Sequence, residues 1–146
     1  MSATNAFETA LLQHHFQNAA IANVGDATGL PAAATAGSVY ISLHTADPGE
    51  AGTQTTSEAT YTGYARKAVA RSAAGWAVTG NIADNAAAVT FPSCTGGTNT
   101  ITHFGIGSAS TGVGNLRFSG ALTSSLAVSN GITPSFAIGT LDVTVD

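Results

Sequence analysis

Charge is what this sequence has least of. Asp, Glu, Lys and Arg make up 8% of its 146 residues, against about 25% in an ordinary soluble domain. An exterior with so few ions is either neutral, built of Ser, Thr, Gly, Asn and Ala, or covered by other molecules, because weak charge repulsion favours association. Basic residues are the scarcest: four Lys and Arg leave a net charge of −4, which argues against a nucleic-acid-binding module. Cysteine is nearly missing. Cys94 stands alone, so no disulfide forms within the chain and no oxidising compartment is implied. Also lacking are a continuous apolar run of the ~18 residues that span a membrane and the basic start and apolar stretch of a secretory signal. These absences point to a protein made in the cytoplasm, with no membrane and no nucleic acid among its partners.

A chain of this length is most simply one domain, and it buries roughly 70% of its unfolded surface when compact. The sequence divides into an N-terminal helix and arm over 1–37 and a β domain over 38–146. "TNAFETALLQHHFQN" (4–18) reads as a helix. Asn5 and Glu8 have capping-box spacing, Phe7 and Leu11 share one face, and Leu12 and Phe16 share another i,i+4 row. Asn18 is the expected stop. "AIANVGDATGLPAAATAG" (20–37) is Gly- and Ala-rich and reads as a linker or arm.

The period then changes to two. Val39, Ile41 and Leu43 alternate with Tyr40, Ser42 and His44, the pattern of a half-buried strand. "ADPGEAGTQTTSEATYTG" (46–63) is a long polar loop, with "DPG" as a tight turn. Further strands are expected at 64–71, 75–80, 85–91, 99–107, 115–122, 124–129 and 140–145, separated by Gly- and Asn-rich turns. "TPSFAIG" reads as an edge segment. No fixed-period repeat is present. The expectation is a mainly β fold: a β-sandwich or barrel-like domain of about eight short antiparallel strands with one N-terminal helix.

Little in the sequence has the spacing of chemistry. His14 and His15 are adjacent on a helix and point apart. His44 and His103 lie on different strands, and nothing specifies a third metal ligand. "GIGSAS" and "SGALTSS" do not match the G-x-S-x-G elbow, and "GIGSAS" lacks phosphate-loop spacing. Cys94 sits in a turn, "FPSCTGG", as a half-buried thiol. Asp47 and Glu50 share a loop as solvated groups. The expectation is therefore no enzyme: no catalytic residues, no cofactor and no metal. Carbohydrate binding uses exposed aromatic faces. For that role Tyr61 and Tyr64, flanking the polar loop, are better placed than Trp76, which reads as core. Three of the four basic residues cluster in "RKAVAR" as Arg66, Lys67 and Arg71, whereas 26–58 holds Asp26, Asp47, Glu50 and Glu58 and no base.

An ordered set of motifs runs through nearly the whole chain: "NAFETALL" (5–12), "LHTADPG" (43–49), "GYAR" (63–66), "AVTFP" (88–92), "THFGI" (102–106), "LRFSGAL" (116–122) and "TPSFAIGTL" (133–141). In these the sequence resembles a family of small virion structural proteins of tailed bacteriophages. Some relatives look like capsid cement or decoration proteins, and others carry tail-fibre labels. The resemblance implies a virion component made in the host cytoplasm. Cement on the capsid surface is the first expectation: a minor capsid protein bound to the major capsid protein and to itself, as a trimer by analogy with other decoration proteins. Its expected contacts are Phe7 and Leu11 on the helix, Tyr61 and Tyr64 beside the loop, and Arg66, Lys67 and Arg71 against acidic capsid surface. The alternative is a tail-fibre or receptor-binding module in which Tyr61, Tyr64 and the 46–63 loop touch a host glycan.

Overall fold

A computed structural model describes residues 2–145. The outermost bounds of the expected arm and β domain, residues 1 and 146, lie outside them. Among the described residues one helix, α1 (Asn5–Gln17), is followed by nine strands: β1 (Ser38–His44), β2 (Lys67–Ala70), β3 (Trp76–Thr79), β4 (Ile82–Asn85), β5 (Val89–Thr90), β6 (Asn99–Gly107), β7 (Leu116–Val128), β8 (Ser135–Phe136) and β9 (Val143–Thr144). They form three sheets, ordered β2-β1-β6-β7, β3-β4-β9 and β5-β8. The fold is mainly β and antiparallel with one N-terminal helix, and among the described residues no sheet closes into a barrel.

The chain forms two compact units. The first comprises Met1–Ser38, Ala70–Ala88 and Phe136–Asp146. Here α1 packs on β3 and β4. Its Leu12–Phe16 row is the buried face, and the Phe16 ring lies 4.4 Å from that of Trp76 between centroids. Ala83, Leu141 and Val143 complete this core. Phe7, one turn before Leu11 on the other row, stays 43% exposed.

The helix ends differ from each other in how they are capped. The N-cap is Thr4 rather than Asn5, and its side chain makes no capping bond. The Thr4 carbonyl instead accepts the N–H groups of Phe7 and Glu8. Asn18 stops the helix as expected, in a left-handed conformation with φ 57°, which Asn tolerates better than most residues. Its amide also exchanges two hydrogen bonds with the backbone of Ala33, at 2.8 and 2.9 Å. Between them the chain folds back through an antiparallel bridge of Ile21 and Leu30. Arg71 donates to the carbonyls of His14, His15 and Ala36, so the segment after the helix is tied to the helix's own last turn.

Asn85 organises the end of this unit. Fully buried, it donates to the carbonyls of Ala87 and Ala137 and accepts from the N–H groups of Thr140 and Leu141. A buried amide with all these groups satisfied specifies one local arrangement.

The second unit comprises Val39–Val69 and Val89–Ser135. β1 pairs with β6 in a continuous register from Tyr40–Gly107 to His44–His103. The alternation expected for β1 gives way: Ser42 and His44 are as buried as Ile41 and Leu43, because a central strand is covered on both faces. The expected strand 64–71 shortens to Lys67–Ala70, and 85–91 divides into the end of β4 and β5. The expected pair 115–122 and 124–129 is one 13-residue strand, β7. Its pairing with β6 nevertheless lapses where the sequence suggested a break: Leu116–Ala121 and Leu126–Val128 have partners, whereas residues 122–125 bulge opposite Thr102.

Candidate functional site

The loop from Ala46 to Gly63 is polar and long, yet its inner side is fastened at four places. Asp47 starts it with an Asx turn, Oδ1 accepting the Gly49 N–H at 2.9 Å. Gln54, fully buried, accepts the Ala109 N–H and lies against Gly107 and Gly114, where a side chain on either glycine would collide with it. His44 reaches the loop through Nδ1, which lies 2.8 Å from the Thr56 carbonyl. A carbonyl only accepts, so Nδ1 carries the proton and Nε2 accepts from the Ser42 hydroxyl at 2.8 Å. Burial holds the His44 pKa below its ordinary 6.5.

The fourth fastening is an ion pair. Arg66 meets Glu58 at two points, Nε to Oε1 at 2.7 Å and Nη2 to Oε2 at 2.8 Å. It also donates to the carbonyls of Ala109 and Gly112. The Arg66 side chain is 3% exposed, and its bond to Glu58 raises its pKa. The Tyr64 hydroxyl donates to Glu58 and accepts the Leu43 N–H; its pKa is pushed strongly upward, chiefly by burial.

These contacts change what the sequence offered as surface. Tyr61 is 3% exposed, its hydroxyl donates to the Pro92 carbonyl, and its ring packs edge-on to Tyr64, which stacks on Phe91. Tyr61 therefore presents no ring face to a ligand, and the polar end of Tyr64 is spent within the chain. Arg66 and Arg71, expected to meet an acidic capsid surface, hold the chain's own carboxylate and carbonyls. Lys67 is exposed, as is Phe7, and Leu11 is half-buried. Cys94 is fully buried, 1% exposed, with Sγ donating to the Gly96 carbonyl. The role of Glu58 was not legible: it reads as one more solvated acid until the fold brings Arg66 to it.

What the loop leaves outward is the turn Gly49–Gly52. It faces the start of β7 across an open groove of about 280 Å³, walled on one side by Gly49, Glu50 and Gly52 and on the other by Leu116–Ser119. Glu50 and Arg117 are both exposed at its rim. Among the described residues the one ion pair is Glu58–Arg66, so Glu50 and Arg117 do not pair with each other. Among the same residues no group of three His, Cys, Asp or Glu side chains could hold a metal ion, and no helix is long and apolar enough to cross a membrane.

The scaffold is β-rich, and the inner side of its 46–63 loop is held by Gln54, His44 and the Glu58–Arg66 pair. Comparison with known families supplies the class. The chain belongs to the podophage GP4 fiber I protein gp80 family, whose model matches residues 2–144, and it is a phage virion structural protein. No curated protein matches the sequence.

Proposed function

We propose that the chain serves as a non-enzymatic building module in or on the fibre apparatus of a podophage particle. The observation that carries this reading is the family match over 2–144, with its fibre description. The internal fastening of the 46–63 loop supports it, since a module that transmits contact rather than chemistry gains from a fixed surface. The neutral exterior supports association with particle proteins and with further copies of the chain, because little charge is desolvated on contact.

The low charge content favours a second reading, capsid cement. A neutral clamp that binds the assembled shell and not its dissociated subunits stabilises it by mass action, with the major capsid protein as partner. Location separates the two. Quantitative gels of purified particles, with imaging of particles labelled on this protein, count its copies and place them. A few copies at the tail support the fibre reading. Many copies spread over the head overturn it in favour of cement. Absence from the particle overturns both.

A further inference from the structure

Among the asparagines of this chain, Asn130 is the one followed by glycine. Such a pair is chemically labile, because glycine has no side chain to shield its peptide nitrogen from the asparagine amide before it. Asn130 is exposed, and among the described residues its side chain makes no hydrogen bond. Asn18, Asn85 and Asn99 differ: their side-chain oxygens already accept backbone N–H groups.

The fold holds this pair in a tight turn. The Ile132 N–H donates to the Ser129 carbonyl at 2.9 Å, and Gly131 takes φ 89°. A type II turn asks that conformation of its third residue, and glycine adopts it without strain. The turn is laced to the segment ahead of β6. The Gly131 N–H donates to the carbonyl of fully buried Cys94 at 2.8 Å, and the Cys94 N–H donates to the Ile132 carbonyl at 2.8 Å. Beside them the Phe91 N–H donates to the Pro134 carbonyl at 2.9 Å, and the Ser93 and Thr133 hydroxyls meet. The Gly131 nitrogen, which would attack the Asn130 side chain, is therefore the atom the fold ties down.

We propose that Asn130 is a site of spontaneous deamidation gated by this lacing, reacting only from the state in which the Gly131 N–H has left the Cys94 carbonyl. In that state the Gly131 nitrogen loses its proton and bonds to the side-chain carbonyl carbon of Asn130. The bond from that carbon to the side-chain nitrogen breaks, and the nitrogen takes up the proton and leaves as ammonia. Water then opens the cyclic imide at either of its carbonyls. One opening gives aspartate; the other gives isoaspartate, whose backbone runs through the β-carbon. Water is consumed, ammonia is released, and nothing is oxidised or reduced. Isoaspartate lengthens the backbone of a turn whose neighbours are held in register with residues 91–94, so the lacing does not re-form. Each event is a one-way record of opening. The proposal goes beyond the fibre reading and does not depend on where in the particle the chain sits.

Incubating the full chain in mildly alkaline buffer, folded and in denaturing urea, tests it. Peptide mapping by mass spectrometry reads the amide-to-acid conversion at each asparagine. In urea Asn130 should convert first. In the folded chain it should convert about tenfold or more slowly, since the reaction follows the population of the open state. Thr133→Val removes an exposed hydroxyl contact of the lacing. In that variant the Gly131 amide exchange and the Asn130 conversion should change by the same factor, with the rate in urea unaltered. Converted chains should lose hydrogen-exchange protection at Gly131. Equal rates in the folded and unfolded chain, earlier conversion of another asparagine in urea, a variant that shifts one rate without the other, or a converted chain still protected at Gly131 overturns the proposal.

Discussion

Arg66 and Glu58, eight positions apart, form a two-point ion pair whose side chains are 3% and 15% exposed. Removing one partner of such a pair strands a charge in the interior, which costs about 3–5 kcal/mol. Arg66→Ala should destabilise the protein by about that amount in urea unfolding. Arg66→Lys should recover only part of it, because an ammonium cannot reproduce the two-point fork while reaching the carbonyls of Ala109 and Gly112.

His44 makes stability depend on pH. Its pKa in the folded chain lies below the ordinary 6.5, chiefly through burial. Folding therefore favours the neutral ring, and the unfolded chain binds the extra proton first. The contribution of His44 is complete above 6.5 and declines as pH falls below it, until the folded state is protonated too. Urea midpoints measured from neutral to acid pH should fall in that window, and His44→Gln should flatten the decline. Imidazole nitrogen NMR at neutral pH should show the proton on Nδ1.

Asn85→Asp changes one atom and reverses one requirement. The carboxylate still accepts from Thr140 and Leu141, but the donors to Ala87 and Ala137 are gone and an anion faces two carbonyls in a fully buried site. The expected loss is about 2–4 kcal/mol at neutral pH, with partial recovery in acid as the side chain gains a proton. Thermal melts at neutral and acid pH read this against the opposite trend from His44.

Arg71→Ala removes three donors, to His14 and His15 at 2.6 Å and to Ala36 at 3.0 Å. The expected effect is local: faster amide exchange in the last turn of α1 and around residue 36, with a global loss of about 1.5–3 kcal/mol. Uniform acceleration across the chain would contradict the assignment of Arg71 as a local tie.

Short-range features were legible because their physics is short-range. The i,i+4 row of Leu12 and Phe16 marks a helix face whatever lies opposite, and Asn18 marks a stop because its backbone tolerates positive φ. The weak point between residues 122 and 125 was also visible, although it proved to be a bulge within β7 rather than the gap between two strands. Whether the two tyrosines form surface or core was not legible. Tyr61 and Tyr64 look alike whether they line a groove or fill a core, and only their neighbours Phe91 and Pro92 decide.

By itself, then, the amino-acid order determined a charge-poor, β-rich chain with one amphipathic helix, punctuated by glycine and asparagine. Tertiary structure alone decided which charges stay free. Arg66 and Arg71 are bound because partners distant in sequence come within hydrogen-bonding reach, whereas Glu50 and Arg117 face one groove without pairing. Pairing energy depends on separation in space and on exclusion of water, and neither quantity is written in the order of residues.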